Sequence, residues 1–377
     1  MTVERLELEN FRCHKSATLS FEHTAILITG PNGAGKTSIL EAINLTALSK
    51  SFLAVNDGEL VHRGAPGYRV TTRLRHDIGT QFTISVEYDQ GNGKRIQTSV
   101  GGDCTAQELI GLLPCVVLAT HHRELFHGEP MVRRAFADRI LAQCFASYKH
   151  ALWRHRTALR QRNHVLAFGR FHTEELEGWT AELLEASCEI IWQRMRFVER
   201  FNALLLDVSG IFDNHVGSLT LQYELPWFRG FDVSQLRMIA SIDELRTLLS
   251  YHVEQLVPVD RERMSTQWGP QRDLLTFCVE QRPLYTVASQ GQQKLALYAI
   301  KVAEALYIHR AMDRAPVLLL DDVFADLDSG NVHRIESSIL QQSRQWQIFV
   351  TAPTVAFLDH RTQFQPIVLE RHISTIH

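Results

Sequence analysis

The octapeptide GPNGAGKT at residues 30–37 constrains the fold of this chain more than any other stretch. It satisfies the pattern G-x-x-x-x-G-K-[ST] at every defined position, and a short apolar run at residues 25–29 comes directly before it. Glycines let backbone N–H groups turn inward around a phosphate, and the N-terminus of a following helix adds positive potential. The sequence therefore predicts a phosphate-binding loop between a buried strand and a helix over residues 36–48. Its predicted binding residues are Gly30, Pro31, Asn32, Gly33, Ala34, Gly35, Lys36, Thr37 and Ser38.

A second element of a nucleotide site stands at residues 316–322, PVLLLDD. Four apolar residues predict a strand buried between helices, and two acids follow at its carboxyl end, where α/β sheets bind ligands. In this arrangement Asp321 holds Mg²⁺ and Asp322 polarises the attacking water. Lys36 reaches the β- and γ-phosphates, and the Thr37 hydroxyl is a second Mg²⁺ ligand. We therefore predict ATP and Mg²⁺ as cofactors, with Lys36 and Asp322 as catalytic residues.

The sequence SQGQQK at residues 289–294 narrows the class, because it resembles the S-x-G-Q signature of ABC-type ATPases. It opens a predicted helix, so Ser289, Gly291 and Gln292 are placed to hold a γ-phosphate. In ABC folds this serine lies too far from the lysine of its own phosphate loop to serve the same nucleotide. The resemblance implies a head-to-tail homodimer with two shared ATP sites, in which Ser289 is catalytic for the partner subunit.

Further residues are predicted to surround the nucleotide. Residues 325–328, ADLD, resemble the loop that crosses the dimer interface of ABC-type ATPases, which predicts a nucleotide contact for Asp328. Thr351 ends a predicted strand where transporter ATPases place a switch histidine. We expect its hydroxyl to bond the γ-phosphate without accepting a proton, as a catalytic group. Arg12 is also expected to approach the nucleotide.

The distribution of residue types divides the chain of 377 residues into three parts. The first and last parts alternate short apolar runs with helical patterns, as α/β domains do. Between them the chain is almost free of Gly and Pro and rich in Arg, Leu and Glu, which predicts long amphipathic helices. The predicted fold class is α/β, an ABC-type P-loop ATPase head with an inserted helical arm domain. We place the discontinuous head at residues 1–123 and 261–377 and the mainly helical arm at residues 124–260.

The formal net charge is −3, so a nucleic-acid site has to be a local patch rather than a property of the whole surface. Residues 123–170 provide one, with ten Lys and Arg against three acids. Duplex phosphates bind such patches without sequence preference. The alternative is a solvated helix face whose arginines pair with the acidic stretch at residues 174–185. Trp153 and the other aromatic residues here are expected to be helix-packing core residues and surface residues rather than a platform on which bases stack. The predicted DNA contacts are Arg133, Arg134, Arg156, Arg160 and Arg162.

Cysteine usage and hydropathy bear on the compartment. Six cysteines are scattered without a CxxC pair, which is typical of a reduced cytosolic protein. The charged, alternating N-terminus is unlike a secretory signal, and the longest apolar runs are too short to span a bilayer. We expect a cytoplasmic protein that has no membrane partner.

Motifs over most of the chain together resemble one family, the RecF family of bacterial recombination-mediator ATPases in the SMC-like branch. The similar segments are LENFR at residues 8–12, GPNGAGKTSILEA at 30–42, GEP with RR and D at 128–138, L with RN at 159–163, GPQRD at 269–273, ASQGQQK at 288–294 and LLLDDVFADLD at 318–328. The double Asp and the missing switch histidine are both usual in that family. Gln271 departs from it where His is usual, and Leu274 where a second Asp is common. Leu53 stands where SMC-like ATPases often place an arginine linked to DNA or ATP.

The resemblance implies an ATP-gated clamp of DNA replication and recombinational repair. ATP held between two subunits closes them on double-stranded DNA near single-strand/double-strand junctions, and hydrolysis releases the DNA. The implied partners are RecR and, through it, RecO and RecA, in RecA loading and the SOS response. Because Asp322 is one methylene shorter than the usual glutamate, we expect slow, DNA-stimulated turnover, towards or below the low end of about 1–10³ s⁻¹.

Two other functions stay open at this point. An ATP-binding subunit of an ABC transporter shares the nucleotide motifs, but it does not explain the basic insertion, Asp322 or the missing switch histidine. An SMC-related ATPase with a nuclease or regulatory output carries an added catalytic domain, for which the residues after Val350 are too few.

Overall fold

The computed structural model describes residues 1–76, 79–168, 173–210, 218–228, 238–325, 327–354 and 363–370. Its strands are β1 (Thr2–Phe11), β2 (His14–Ser20), β3 (Ala25–Thr29), β4 (Gly67–Arg75), β5 (Gln81–Asp89), β6 (Gly93–Thr98), β7 (Gly102–Asp103), β8 (Cys115–Leu118), β9 (Leu219–Glu224), β10 (Leu274–Val279), β11 (Arg282–Pro283), β12 (Val317–Leu320), β13 (Ile348–Ala352) and β14 (Gln365–Val368). Its α-helices are α1 (Lys36–Leu48), α2 (Ala106–Leu109), α3 (Glu124–His127), α4 (Pro130–Cys144), α5 (Ala146–Phe168), α6 (Thr173–Asp207), α7 (Ile242–Glu262), α8 (Leu284–Val287), α9 (Gln290–Met312) and α10 (Ser329–Gln342). Arg170 of the predicted basic patch and Asp326 of the predicted interface loop lie outside the described residues.

The described residues form two compact units. The first contains residues 1–122 and 290–370, and the second contains residues 123–209 and 218–289. The structure thus places at residue 290 the return to the first unit that the sequence predicts at residue 261. Strand pairing is the reason, because β10 pairs along its whole length with β9, and both strands belong to the second unit.

A parallel five-stranded sheet in the first unit has the order β14-β3-β13-β12-β8. Every residue of β3, β8, β12 and β13 is buried, as expected for parallel strands that are covered on both faces. In β13, Val350 pairs with Leu27 of β3 on one side and with Leu320 of β12 on the other. Because these three strands are parallel, their carboxyl ends meet at one edge of the sheet. The phosphate loop, Thr351 and Asp321 follow from those ends and come together there.

The first unit also contains an antiparallel sheet in the order β2-β1-β4-β5-β6-β7. Its strands alternate in burial, as Val70 and Leu74 of β4 illustrate, so one face of the sheet covers the core. Helix α1 has nine consecutive buried residues, 39–47. The apolar residues among them share one hydrophobic core with this sheet and with Ile28 and Leu319 of the parallel sheet. Packing on both sides therefore holds α1, and with it the loop from which the helix begins.

The second unit is built mainly from helices, and its long predicted helical stretch forms α4, α5 and α6. Helix α5 buries Tyr148, Ala151, His155 and Arg162, which are spaced three, four or seven residues apart and so share one face. A three-stranded antiparallel sheet, in the order β11-β10-β9, completes the unit. Across the described ranges of the chain, no helix is both long enough and apolar enough to cross a bilayer.

Candidate functional site

The phosphate loop has a backbone that requires glycine at two positions. Gly30 has φ 148° and Gly35 has φ 90°, a region that other residues rarely adopt. A Cβ atom on Gly35 would lie 2.3 Å from Nε2 of His14, and one on Gly30 would lie 2.4 Å from the carbonyl oxygen of Leu369. Helix α1 begins at Lys36, and its first turn contains no acidic side chain. The positive potential of its N-terminus is therefore left for an anion.

The charge of Lys36 lies inside the loop. Its Nζ atom donates to the carbonyl oxygens of Gly30 at 2.7 Å and of Pro31 at 3.1 Å. His14 packs against the loop, with Nε2 3.3 Å from the carbonyl oxygen of Gly35, and burial lowers the pKa of its imidazole. His14 is therefore neutral near pH 7, which leaves Lys36 as the cation of the loop that phosphate oxygens meet.

Two threonine hydroxyls meet the carboxylate of Asp321. Thr37 Oγ1 lies 2.9 Å and 3.1 Å from the two carboxylate oxygens, and Thr351 Oγ1 donates to one of them at 2.8 Å. Thr351 Oγ1 also accepts the backbone N–H of Asp322 at 2.8 Å. These bonds connect the start of α1, the end of β12 and β13. The structure thus assembles four of the predicted site residues in one polar cluster beside the phosphate loop.

This cluster fits a magnesium–nucleotide complex. Burial raises the pKa of Asp321, while the hydrogen bonds from Thr351 and Thr37 lower it. A cation beside the carboxylate would offset the cost of burying its charge. Mg²⁺ prefers oxygen ligands and is usually bound by one or two protein groups together with waters and substrate phosphates. Among the residues that the structure describes, no group of three or more His, Cys, Asp or Glu forms a metal cage elsewhere.

Thr351 does not fit its predicted contact with the γ-phosphate. Its hydroxyl has a single proton, which it donates to Asp321, and its oxygen already accepts the N–H of Asp322. The residue is also only 1% exposed. A phosphate offers acceptor oxygens and would need that same proton, so the predicted direct contact is corrected. Thr351 instead orients the two acids, of which Asp322 is exposed and has φ 51°.

The side chain of Arg12 is held by Glu41 of α1. Its Nε and Nη2 atoms each lie 2.7 Å from a carboxylate oxygen of Glu41, whose side chain is almost fully buried. Glu41 also accepts the hydroxyl of Ser51, and Ser51 Oγ accepts the N–H groups of Leu53 and Ala54. Arg12 therefore braces the loop that contains Leu53. The nucleotide contact of Arg12 stays a prediction, and Glu41 is not predicted from the sequence because its partners are distant along the chain.

The signature sequence stands where α9 begins. Ser289 is exposed and directly precedes the first helical residue, Gln290. A Cβ atom added at Gly291 would meet no atom within 4 Å, so there is open space beside this helix N-terminus. Gln292 is partly buried. The contacts that Ser289, Gly291 and Gln292 make with a nucleotide on a second subunit stay predictions.

The segment after β12 is anchored at both ends. Lys294 of α9 donates its Nζ proton to the carbonyl oxygen of Ala325. Asp328 caps α10, since its side chain accepts the N–H of Asn331 at 2.9 Å. The signature helix is thus tied to the loop that is predicted to cross the dimer interface. The nucleotide contact of Asp328 stays a prediction.

The predicted DNA-binding arginines differ in what surrounds them. Arg156 and Arg160 are exposed on α5 and form no hydrogen bond or ion pair with another side chain in the described ranges. Arg133 and Arg134 are half-buried and donate to backbone carbonyl oxygens beside the start of β10. Burial lowers the pKa of both guanidinium groups. Arg133 and Arg134 therefore fasten α4 to the sheet of the second unit, whereas Arg156 and Arg160 remain accessible to DNA.

The prediction for Arg162 is contradicted by its burial, and Trp153 lies on the surface. Arg162 has 0% side-chain exposure, and its Nη1 atom lies 2.8 Å from Asp260, while its guanidinium lies 5.3 Å from the centre of the Trp268 ring. DNA phosphates do not reach a group inside the core, so the predicted DNA contact of Arg162 is wrong. Trp153 is 53% exposed and therefore belongs to the surface rather than to the core.

The family model described as RecF/RecN/SMC N terminal domain matches residues 2–375 of this chain. Over 354 residues the chain is 32% identical to the DNA replication and repair protein RecF of Chloroherpeton thalassium, which covers 93% of this chain and 94% of that protein. The chain belongs to the RecF family. The RecF protein of Halalkalibacterium halodurans is 30% identical over 377 residues and covers 98% of this chain and 97% of that protein.

Solved structures show the same fold. A structure described as the recombination mediator protein RecF-ATP in the RecFOR pathway has a TM-score of 0.83 at 24% identity, covering 94% of this chain and 92% of that one. An Smc head domain with an extended coiled coil, derived from Pyrococcus furiosus, has a TM-score of 0.56 at 18% identity, covering 97% of this chain and 92% of that one. The predicted family, the α/β fold class and the general function of a RecF-type DNA replication and repair protein are confirmed. RecF membership also favours this function over the transporter alternative.

Proposed function

We propose that this RecF-family protein is a slow, DNA-stimulated ATPase whose ATP-bound dimer holds double-stranded DNA near single-strand/double-strand junctions. The observation that carries the proposal is the contact between Thr37 and Asp321, 2.9 Å apart beside the phosphate loop. A hydroxyl and a carboxylate in that position are suited to Mg²⁺ on a nucleotide. The solved relative described as RecF-ATP supports ATP as that nucleotide.

In the proposed reaction each group has one task. Lys36 exchanges its present carbonyl partners for phosphate oxygens. Thr37 and Asp321 hold Mg²⁺, which neutralises the charge of the phosphates when it is bound. Thr351 keeps the Asp321 carboxylate and the backbone of Asp322 in place. Asp322, exposed at the end of β12, orients the attacking water, and its short side chain makes turnover slow.

The proposed active form is a head-to-tail homodimer. Ser289 and the open space at Gly291 stand at the N-terminus of α9, which suits a phosphate presented by a second subunit. Lys294 connects that helix to the carbonyl of Ala325, so the signature helix and the proposed interface loop respond together. The loss of the γ-phosphate then removes the bond between subunits and releases the DNA.

The proposed partners are RecR and, through it, RecO and RecA. The support is the description of the solved relative as a recombination mediator of the RecFOR pathway. We also propose a cytoplasmic location, because all six cysteines are free thiols, as is usual in reducing compartments.

Arg156 and Arg160 are the proposed contacts with duplex phosphates. Helix α5 carries five Lys and Arg residues and no acid. Two of the five pair with acids from other segments, Arg154 with Glu182 and Arg162 with Asp260. The charge of Arg156 and Arg160 on the exposed side of α5 therefore attracts phosphates without reading bases.

ATP turnover, measured over a range of protein concentrations with and without duplex DNA, tests the shared nucleotide site. We expect specific activity to rise with protein concentration and to rise again with DNA. The Lys36→Met variant is the control, and it should lose turnover while it remains folded. Activity that is flat with concentration and indifferent to DNA would contradict the shared site.

Salt titrations of duplex binding test the arginines. Each phosphate contact that Arg156→Gln or Arg160→Gln removes should make the negative slope of log K against log salt shallower by about 0.9. Arg196→Gln is a matched control on α6, because Arg196 already pairs with Glu199 and stacks on Trp192. An unchanged slope in the double variant would place the DNA on another surface.

A further inference from the structure

We propose that the exposed side of α5 binds single-stranded DNA, with the Trp153 ring as a platform on which an unpaired base stacks. This inference rests on the proposed DNA-binding function and deepens it. It places the unpaired strand of a junction next to the duplex on one surface and adds a base contact to the duplex-phosphate contacts proposed for Arg156 and Arg160.

Trp153 shares one face of α5 with several basic residues. Lys149, Trp153, Arg156, Arg160 and His164 follow one another at spacings of four, three, four and four residues, so they share one face. We call these five residues the stacking face. It lies opposite the buried residues of α5, and all its members except the half-buried Lys149 are exposed.

The indole of Trp153 is exposed. Trp153 has 53% of its surface exposed, whereas Trp227, Trp268 and Trp346 are buried at 8%, 0% and 1%. The ring contact of Trp153 is with His150, one turn earlier on the same helix, at 6.2 Å between centroids. The core of the second unit therefore does not account for this side chain, and one face of a large ring is available to a flat ligand.

The stacking face is positively charged. The face contains three cations around one aromatic ring, and α5 has no acid along its whole length. An apolar partner would leave Arg156 and Arg160 without counter-charges, which favours an anionic ligand. Cations that follow a phosphate backbone, interleaved with an aromatic ring that accepts a base, are the usual design of single-strand binding surfaces. Because every base has a flat face, such binding would not depend on sequence.

The experiment compares three fluorescent DNAs in anisotropy titrations of the full chain with ATP: a blunt duplex, the same duplex with a single-stranded extension, and a single strand. Trp153→Ala should weaken binding of the extended duplex and of the single strand by about 5- to 100-fold, the usual effect of losing one stacked base. Binding of the blunt duplex should change by less than about two-fold, because its bases are already stacked. Trp153→Phe should retain most of the affinity for the single strand.

A matched control removes a different exposed aromatic ring. Tyr251 of α7 is 69% exposed and stands one turn from the exposed Glu254, so Tyr251→Ala should leave all three affinities unchanged. Urea unfolding of both variants checks that each is folded.

Two results would overturn the proposal. Trp153→Ala could leave all three affinities unchanged, which would assign the indole to a protein or lipid partner. It could instead weaken all three DNAs equally, which would make Trp153 a support of the helix rather than a base platform. Neither result touches the proposed ATPase, whose test is turnover, nor the duplex contacts, whose test is the salt slope of Arg156→Gln and Arg160→Gln.

Discussion

The two units use motif carboxylates in different ways. In the first unit, Asp321 and Asp322 follow a buried strand and reach the edge of a sheet, where Asp321 meets two hydroxyls and Asp322 is exposed. In the second unit, Asp260 and Asp273 have side chains with 0% exposure, and each is paired with a buried arginine. The carboxylates of the first pair lie where a ligand can bind them, whereas those of the second pair already have their partners within the chain.

The second unit satisfies its buried charges almost entirely with its own donors. Asp273 accepts bonds from Arg194 at 2.8 Å, from the Trp227 indole at 2.9 Å and from the Tyr223 hydroxyl. Arg194 also pairs with Asp138 at 2.9 Å. Buried ion pairs contribute little net stability over apolar groups, but breaking one leaves a charge unpaired. The charged motifs of the second unit therefore stabilise its fold, whereas for those of the first unit we propose a role in chemistry.

The largest expected effect is from Asp273→Asn. The substitution keeps the shape of the side chain but removes the buried charge that faces Arg194, which retains its pair with the less buried Asp138. We expect a loss of about 3 kcal/mol in the free energy of unfolding, measured in urea, which is the low end for breaking a buried ion pair. Asp322→Asn is the control in the first unit, because that side chain is exposed. It should stay within about 0.5 kcal/mol in stability while it loses turnover. Comparable stability losses in the two variants would remove the contrast between the units.

A smaller effect is expected from Thr351→Val, which tests whether the first unit also contains a positioning contact. Valine has the same shape but removes the proton that Asp321 receives and the acceptor that the Asp322 N–H uses. Loss of such a contact behind a metal ligand typically costs about 10–100-fold in metal affinity. We therefore expect the Mg²⁺ concentration needed for half-maximal binding of a fluorescent ATP analogue to rise by that factor.

Thr351→Ser keeps the hydroxyl, so it should need the same Mg²⁺ concentration for half-maximal binding as the wild-type chain. If Thr351→Val instead lowers the turnover number with an unchanged Mg²⁺ requirement, the hydroxyl acts on the phosphate directly. In that case the contact seen with Asp321 is not the one that matters for function.

The nucleotide site can be predicted from the sequence because its motifs are contiguous. The predicted helix over residues 36–48 and strand over 317–320 match α1 and β12, and parallel topology brings their ends together. Arg162 marks the limit of such a prediction. It lies on α5 among other basic residues, yet Asp260, which is distant along the chain, pairs with it in the core, whereas Trp153 lies on the opposite, exposed side of the helix. Helical periodicity groups residues into faces but does not say which face the rest of the chain covers.

The same limit applies to the domain boundary. The strand-like sequence pattern that returns after residue 260 is that of β10. The sequence does not reveal that this strand pairs with β9. Strand partners are set by contacts between distant segments, whereas the local pattern of a strand is the same in either unit. The two-unit division therefore emerges only from the pairing of β9 with β10.

The smallest expected effect concerns His155, a titratable group in the core of the second unit. Its Nε2 atom lies 3.0 Å from Oε1 of Gln271, and burial lowers its pKa to about 4. An exposed histidine has a pKa near 6.5, so between these values the unfolded chain binds a proton that the folded chain does not. The stability that neutral His155 contributes is therefore complete above about pH 6.5 and is lost as the pH falls towards 4. Between about pH 7 and pH 5 we expect a loss of about 2 kcal/mol, which His155→Gln should remove.

Urea unfolding at both pH values measures this difference. His127→Gln is the matched control, because this histidine is also in the second unit but is exposed. If the wild-type chain and His155→Gln lose equal stability on acidification, the buried network around Asp273 tolerates a protonated His155. The core of the second unit would then accommodate an added positive charge on His155. The second unit would therefore differ less from the first, in which Asp322 is exposed, than the burial of His155 and Asp273 indicates.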